Sequence, residues 1–285
     1  MNGASRRSRR LFVGGAALFL AGCSWSSSTT RTPAKPAAPA HTFSVSGSGG
    51  ALPSARALAE AYAVQHPEVA FRFERGTNSG GAIRGVAEGT LDIAVVNRPL
   101  SPEEAAKPLS YTAYAKDAVA FVATPSAPVA GLSRAQIQAI FGGDATSWSQ
   151  LGGPDEPVIV LDRDEDESMR KLVLLPLLAG RPIGATTTVL TSADEMMSAL
   201  RDTPGALGYA TFGGLKVANV RTDRVIAIDG VVPSSSTVGN GTYPWNLTFG
   251  LVVRGDAPPA LHAFAAAACG NWGAGVLEKL GYAPV

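Results

Sequence analysis

From Phe43 onward the chain repeats one unit: a short apolar run, a polar or glycine-rich turn, then an amphipathic helix. Such alternation constrains the fold to α/β with mainly parallel strands, because a parallel neighbour needs a crossover long enough to hold a helix. The clearest unit runs from Gly76 to Leu100. In its first turn, Thr77, Asn78 and Ser79 carry short hydrogen-bonding side chains, and Gly80 and Gly81 lack a Cβ. Backbone without Cβ turns tightly and approaches a ligand closely. A helix follows, and the unpaired N–H groups and dipole at a helix start favour an anion. Asp92 to Val96 then reads as a buried strand that delivers Asn97 and Arg98.

The other units have the same grammar. FSVSGSG is a strand entering the turn Gly47–Gly50, and Ala51–His66 is a helix with Pro53 in its first turn. Lys116–Thr124 is an apolar strand of the kind buried on both faces. Ser133 and Gln136 form a capping box for a helix through Ile140, and Trp148 reads as a core anchor. PVIVLDR is a strand ending at Arg163, followed by the acidic turn DEDES and an amphipathic helix from Met169 to about Leu178. Residues 258–281 form a final helical region.

Ligands in open α/β sheets collect at the C-terminal ends of strands. Four turns have that placement: Gly47–Gly50 with Ser48 and Gly49, Gly76–Gly81 with Thr77, Asn78 and Ser79, the pair Asn97 and Arg98, and Arg163–Ser168 with Glu167 and Ser168. Together they offer hydroxyls, backbone N–H groups and two guanidinium groups, the donor set that an oxyanion requires.

Residues 1–22 read as a leader. Arg6, Arg7, Arg9 and Arg10 precede LFVGGAALFLAGC, an apolar run too short to span a bilayer, which ends in Leu20-Ala21-Gly22-Cys23. Small residues before a cysteine form a lipoprotein signal, with Cys23 as the lipidated first residue of the mature chain. Ser8–Val13 also resembles a twin-arginine export motif, so the export route stays open. Residues 23–42 are rich in Ser, Thr, Pro and Ala and read as a flexible tether.

The whole chain has a formal net charge of +1, with 24 basic and 23 acidic residues. Loss of the four leader arginines leaves 20 basic residues against 23 acidic ones, a balance with no nucleic-acid signature. Cys269 is the second of two cysteines, so lipidation of Cys23 leaves no disulfide. The three histidines, His41, His66 and His262, form no Ser-His-Asp or metal-ligand pattern. The expectation is a chain that is not an enzyme and carries no catalytic residue, cofactor or metal.

Over residues 43–285 the sequence resembles the solute-binding proteins of phosphate ABC transporters. The resemblance is carried by GSGGALPSARALAEAY, by SGGAIRGVAEGTLDIA with NRPL, by LSRAQIQAIFGGDATSWSQLGG, by GALGYATFGGL, and by AIDGV with YPWNLTFGLVVRG. It implies a two-lobed, periplasmic-binding-protein-like (type II) α/β fold that closes on an anion, with a hinge of two crossing strands, here KDAVAFVAT and TYPWNLTFGLVV. Lobe I is then 43–122 plus 246–285, and lobe II is 123–245.

The resemblance also implies inorganic phosphate or a similar oxyanion as ligand, an ABC permease as partner, a lipid anchor facing the periplasm or cell exterior, and a monomer. Relatives read arginine, three residues, then Ser-Gly-Thr in the second lobe. Here Arg163 is kept, while Glu167 and Met169 stand at the serine and threonine positions. Two roles for Glu167 stay open: a helix cap in solvent, or an acceptor in the cleft. The departure also motivates a second reading, a family member acting as a sensor or interaction protein with altered anion binding.

Overall fold

The computed structural model describes residues 39–124, 129–184 and 186–285. The leader, Cys23 and most of the tether lie outside the described residues. The described chain is an α/β fold built on one nine-stranded sheet.

The chain opens with β1 (His41–Gly47), α1 (Leu52–Gln65), β2 (Val69–Phe73), α2 (Ser79–Ala87), β3 (Ile93–Val96) and the short α3 (Pro102–Ala105). β1 starts two residues before the expected Phe43 because His41 and Thr42 pair with Val69 and Ala70 of β2. Both are exposed, so the apolar pattern could not mark them. Pro53 stands in the first turn of α1, where its missing N–H leaves no helical bond unmade. Ala55, Leu58, Ala59 and Tyr62 follow at helical spacing and are buried.

Next come β4 (Leu109–Ala123), β5 (Gly131–Leu132), α4 (Arg134–Gly142), β6 (Ile159–Arg163), α5 (Leu175–Leu178), β7 (Thr188–Leu190), α6 (Ala193–Asp202), β8 (Ala206–Thr211) and α7 (Phe212–Val217). The chain ends with β9 (Ala227–Ile228), α8 (Ser235–Gly239), β10 (Asn246–Arg254), α9 (Pro259–Ala268), α10 (Asn271–Leu280) and β11 (Ala283–Pro284). The main sheet runs β2-β1-β3-β10-β4-β8-β6-β7, with β11 also on β4, and β5 pairs β9 apart from it.

The expectation of mainly parallel strands holds only towards the two ends of the sheet. β2-β1-β3 and β8-β6-β7 are parallel. The centre is antiparallel, where β10 pairs β3 and β4, and β4 pairs β8. β4 is the reason. Its first part, Leu109–Ala118, pairs β10, and Val119–Ala123 pairs β8. One 15-residue strand therefore joins the two lobes. The second connection runs beside it: Val119 N–H donates to the Trp245 carbonyl at 2.8 Å, and the Tyr243 hydroxyl donates to the Val119 carbonyl at 2.8 Å.

Trp148 is wholly buried and donates its indole N–H to the Gly205 carbonyl at 2.8 Å, as an anchor should. The capping box of Ser133 and Gln136 is present. The expected helix from Met169 is not a plain α-helix. Arg170–Leu174 is a π-helical turn, with Leu175 N–H reaching the Arg170 carbonyl five residues back. Pro176, next in line, has no N–H to continue an α ladder, and the wider turn accommodates it.

Candidate functional site

Gly47 ends β1 against β3, where a Cβ would stand 1.9 Å from the Val95 carbonyl oxygen. Only glycine permits that approach, and it brings Ser48 beside Asn97. Ser48, Ser79 and Asn97 are each at most 3% exposed. The Asn97 amide Nδ2 donates to Ser48 Oγ at 2.9 Å, and Ser79 Oγ donates to Asn97 Oδ1 at 2.9 Å. Three expected contacts from three turns thus meet, but they bond to one another in a neutral, satisfied chain.

Asn78 caps α2, its Oδ1 accepting from Gly81 N–H at 2.7 Å, and Thr77 beside it is exposed. Gly80 and Gly81 lie in the first turn of α2 with ordinary backbone angles, so the tight-turn role expected of them is not used. Arg98 braces its own turn. Its guanidinium forks onto Glu104 at 2.7 and 2.8 Å and donates to the Pro99 carbonyl at 2.9 Å. The Arg98 fork, helped by the Ser101 N–H, holds the Glu104 carboxyl down at about 2.

Across from these turns the site is charged. Arg163 ends β6 and is 8% exposed. Its Nε donates to the Leu190 carbonyl at 3.1 Å and its Nη2 to the Thr191 carbonyl at 3.4 Å, at the end of β7 and in the connection into α6. Its own N–H donates to the Tyr209 hydroxyl at 3.3 Å. That hydroxyl donates to buried Asp162 at 2.6 Å, and Arg170 Nε donates to the other Asp162 oxygen at 2.8 Å. The guanidinium of Arg163 is therefore fixed by carbonyls. Among the described residues no carboxylate lies within 4.0 Å of it. Its Nη1 makes no hydrogen bond among them either.

Glu167 sits where the acidic turn enters the π-helical turn, and its Oε2 accepts from Arg170 N–H at 2.8 Å. Burial raises its pKa, and the nearby Arg163 charge partly offsets this. Glu167 is thus a cap and also a neighbour of the buried guanidinium. Ser168, half-buried, follows it into the helix.

A cavity of about 220 Å³ lies between Gly49, Gly50 and Pro53 on one side and Arg163, Tyr209 and Thr211 on the other. Of the expected site residues, Gly49 and Arg163 line it; the other eight do not. Tyr209 and Thr211 are polar lining residues outside the expected set. Thr211 caps α7, and its Oγ1 donates to the Gly50 carbonyl at 3.4 Å, bridging the two sides at the edge of the cavity. Both residues lie on GYATFGG at a strand end, the same placement that marks the other turns.

A family model described as a PBP superfamily domain matches residues 32–268. The chain belongs to the PBP superfamily. The phosphate-binding protein PstS of Bacillus subtilis is 29% identical over 207 residues, which is 71% of this chain and 67% of that protein. The PstS of Borreliella burgdorferi is 23% identical, over 58% of this chain and 62% of its own length.

Among solved structures, an ABC-type phosphate transport receptor from Vibrio cholerae matches this PBP-superfamily chain with a TM-score of 0.65 at 25% identity, covering 86% of this chain and all of that one. A Clostridium perfringens chain solved with bound phosphate has a TM-score of 0.75 at 24% identity, covering 86% of this chain and 99% of that one. The family resemblance drawn from the motifs is borne out, and so is the two-lobed fold. These relatives are binding and transport proteins, in keeping with a chain that holds a solute rather than turning one over.

Proposed function

We propose that the protein captures phosphate or a related oxyanion between its lobes and delivers it to the permease of an ABC importer. The carrying observation is Arg163, a buried guanidinium fixed by two carbonyls, with no carboxylate in ion-pair range and facing the Gly49–Gly50 turn across a cavity. A buried charge with no counter-ion in contact is costly, and an anion held there supplies that contact. The names of the PstS relatives support phosphate as that anion.

In this reading the closing bodies are 43–122 with 246–285, and 123–245. The exchange of partners along β4 at Ala118 and Val119 lies near the first of these boundaries. Contacts to one ligand from both bodies shift an open–closed equilibrium towards closed. The binding set is Ser48, Gly49, Thr77, Asn78, Ser79, Asn97, Arg98, Arg163, Glu167 and Ser168. Arg163 and the N–H groups of the two glycine turns contact the anion, while the Ser48–Asn97–Ser79 chain holds those turns. Cys23 carries the lipid that tethers this monomer outside the cytoplasm.

Calorimetry with phosphate, sulfate and other oxyanions tests the reading. Saturable heat with phosphate is expected, and absence of heat and of thermal stabilisation with every oxyanion overturns it.

Glu167 favours the second reading, a sensor or interaction protein, because a carboxylate beside Arg163 competes with an incoming anion. That reading expects phosphate affinity to appear only in Glu167→Ser. Tight binding by the unaltered protein refutes it.

A further inference from the structure

The cavity beside Arg163 is larger and more apolar than a bare oxyanion needs. It holds about 220 Å³ of solvent-sized space, where one water needs about 10–15 Å³. A five-atom tetrahedral anion occupies only part of it. The lining that Arg163 shares includes Pro53, Met169, Met196, Met197 and Val217. None of these side chains donates a hydrogen bond.

The hydroxyls in the wall are already committed. Tyr209 gives its proton to Asp162, and Thr211 Oγ1 accepts from Gly214 N–H and lies against the Gly50 carbonyl. One buried guanidinium thus borders a pocket of thioethers. Asp194, also in the lining, is exposed. Unbranched methionines repack around differing apolar shapes.

We propose that the cleft takes an organophosphorus anion, R–PO₃, with the phosphorus oxygens on Arg163 and a short apolar R group against Met169, Met196, Met197 and Val217. This rests on the reading of the cleft as a site for phosphate-type oxyanions. Inorganic phosphate fills the anionic end alone and leaves water against the methionines. A short alkyl chain displaces that water, and each buried methylene raises affinity about fourfold (about 0.8 kcal/mol).

The test is calorimetry on the full chain with inorganic phosphate, methylphosphonate, n-butylphosphonate and n-butyl phosphate. Butylphosphonate is expected to bind at least tenfold tighter than methylphosphonate, and the better of the two butyl ligands tells whether R is carried on carbon or through an ester oxygen. Met197→Ser, at a half-buried position, and Val217→Ser, at an exposed one, are expected to abolish the butyl gain while leaving phosphate affinity within twofold.

Equal or weaker binding of both butyl ligands, with phosphate still bound, overturns the apolar annex alone. A butyl gain that survives both substitutions overturns its location. Butylphosphonate binding without phosphate binding upholds the annex and removes inorganic phosphate as the ligand. Failure of all four ligands to bind overturns the oxyanion reading itself.

Discussion

The two sides of the cleft solve the problem of holding an anion in opposite ways. On the side of β1 and β3 the polar residues are neutral, and Ser48, Asn97 and Ser79 satisfy one another. On the side of β6 and β8 they are charged. Asp162 is matched by Arg170 and Tyr209, while Arg163 beside it is held only by carbonyls. The first side can be buried at little cost with the site empty, because hydrogen-bonded neutral groups lose little on leaving water. The second holds a buried guanidinium that touches no carboxylate and is offset only at longer range by Glu167 and Glu195. The neutral side shapes the backbone, and the charged side supplies the attraction.

The sharpest way to break this contrast is to remove the charged side's support. Asp162→Ala leaves Arg170 and Tyr209 facing each other in the interior, and should cost about 3–5 kcal/mol of stability in urea unfolding. A loss below about 1 kcal/mol would mean that the network is dispensable. Arg163→Ala removes a buried charge along with its two hydrogen bonds to carbonyls, so it should cost less stability than Asp162→Ala but weaken phosphate binding by about 3 kcal/mol, more than a hundredfold, in calorimetry.

On the neutral side, Asn97→Ala strands two buried hydroxyls and should cost about 1–3 kcal/mol of stability. It should change phosphate affinity far less than Arg163→Ala does. The reverse order of affinity losses would invert the division of labour.

Smaller effects sharpen the contrast further. Glu104→Ala frees the Arg98 fork and removes one arm of the Ser101 capping box, at about 1–2 kcal/mol in thermal unfolding. The folded carboxyl is held at about 2, below its unfolded value. Its contribution is therefore present above about pH 4.3, the ordinary glutamate range, and is lost as pH falls through about 2.

Glu167 has the opposite sign. Burial raises its folded pKa. Its contribution to stability is therefore present below the ordinary glutamate pKa and is lost as pH rises through the raised value. The neutral acid donates to an anion and the ionised one repels it, so phosphate affinity should rise as pH falls through that raised pKa. Glu167→Gln should flatten this part of the profile, leaving only the titration of phosphate itself. An unchanged profile would mean that the Glu167 charge does not act on the bound anion.

What was legible in the sequence follows the same division. Neutral turn residues announce themselves: Ser48, Asn78, Ser79 and Asn97 stand out as polar residues at the ends of elements, although the capping by Asn78 and the close approach at Gly47 appear only in the structure. Their positions follow from local backbone rules, so the spacing of strands and helices located them. The charged side depends on which side chains meet across distant elements. That Arg98 folds back on Glu104 while Arg163 has no carboxylate in contact is a tertiary outcome, since both are arginines delivered by a strand with acids within the next six residues. The antiparallel centre of the sheet was hidden for a related reason: the apolar pattern of β4 is the same whether β10 or β8 lies beside it.

The account turns on Arg163 holding a phosphorus oxyanion in this cleft, and one measurement tests that most directly. The protein is purified without added phosphate, denatured, and the released anions are identified and counted by mass spectrometry beside an Arg163→Ala control. The account predicts a phosphorus-containing oxyanion approaching one per chain in the unaltered protein and none in the variant. Equal amounts in both, or no phosphorus anion from the unaltered protein even after incubation with phosphate, would contradict it.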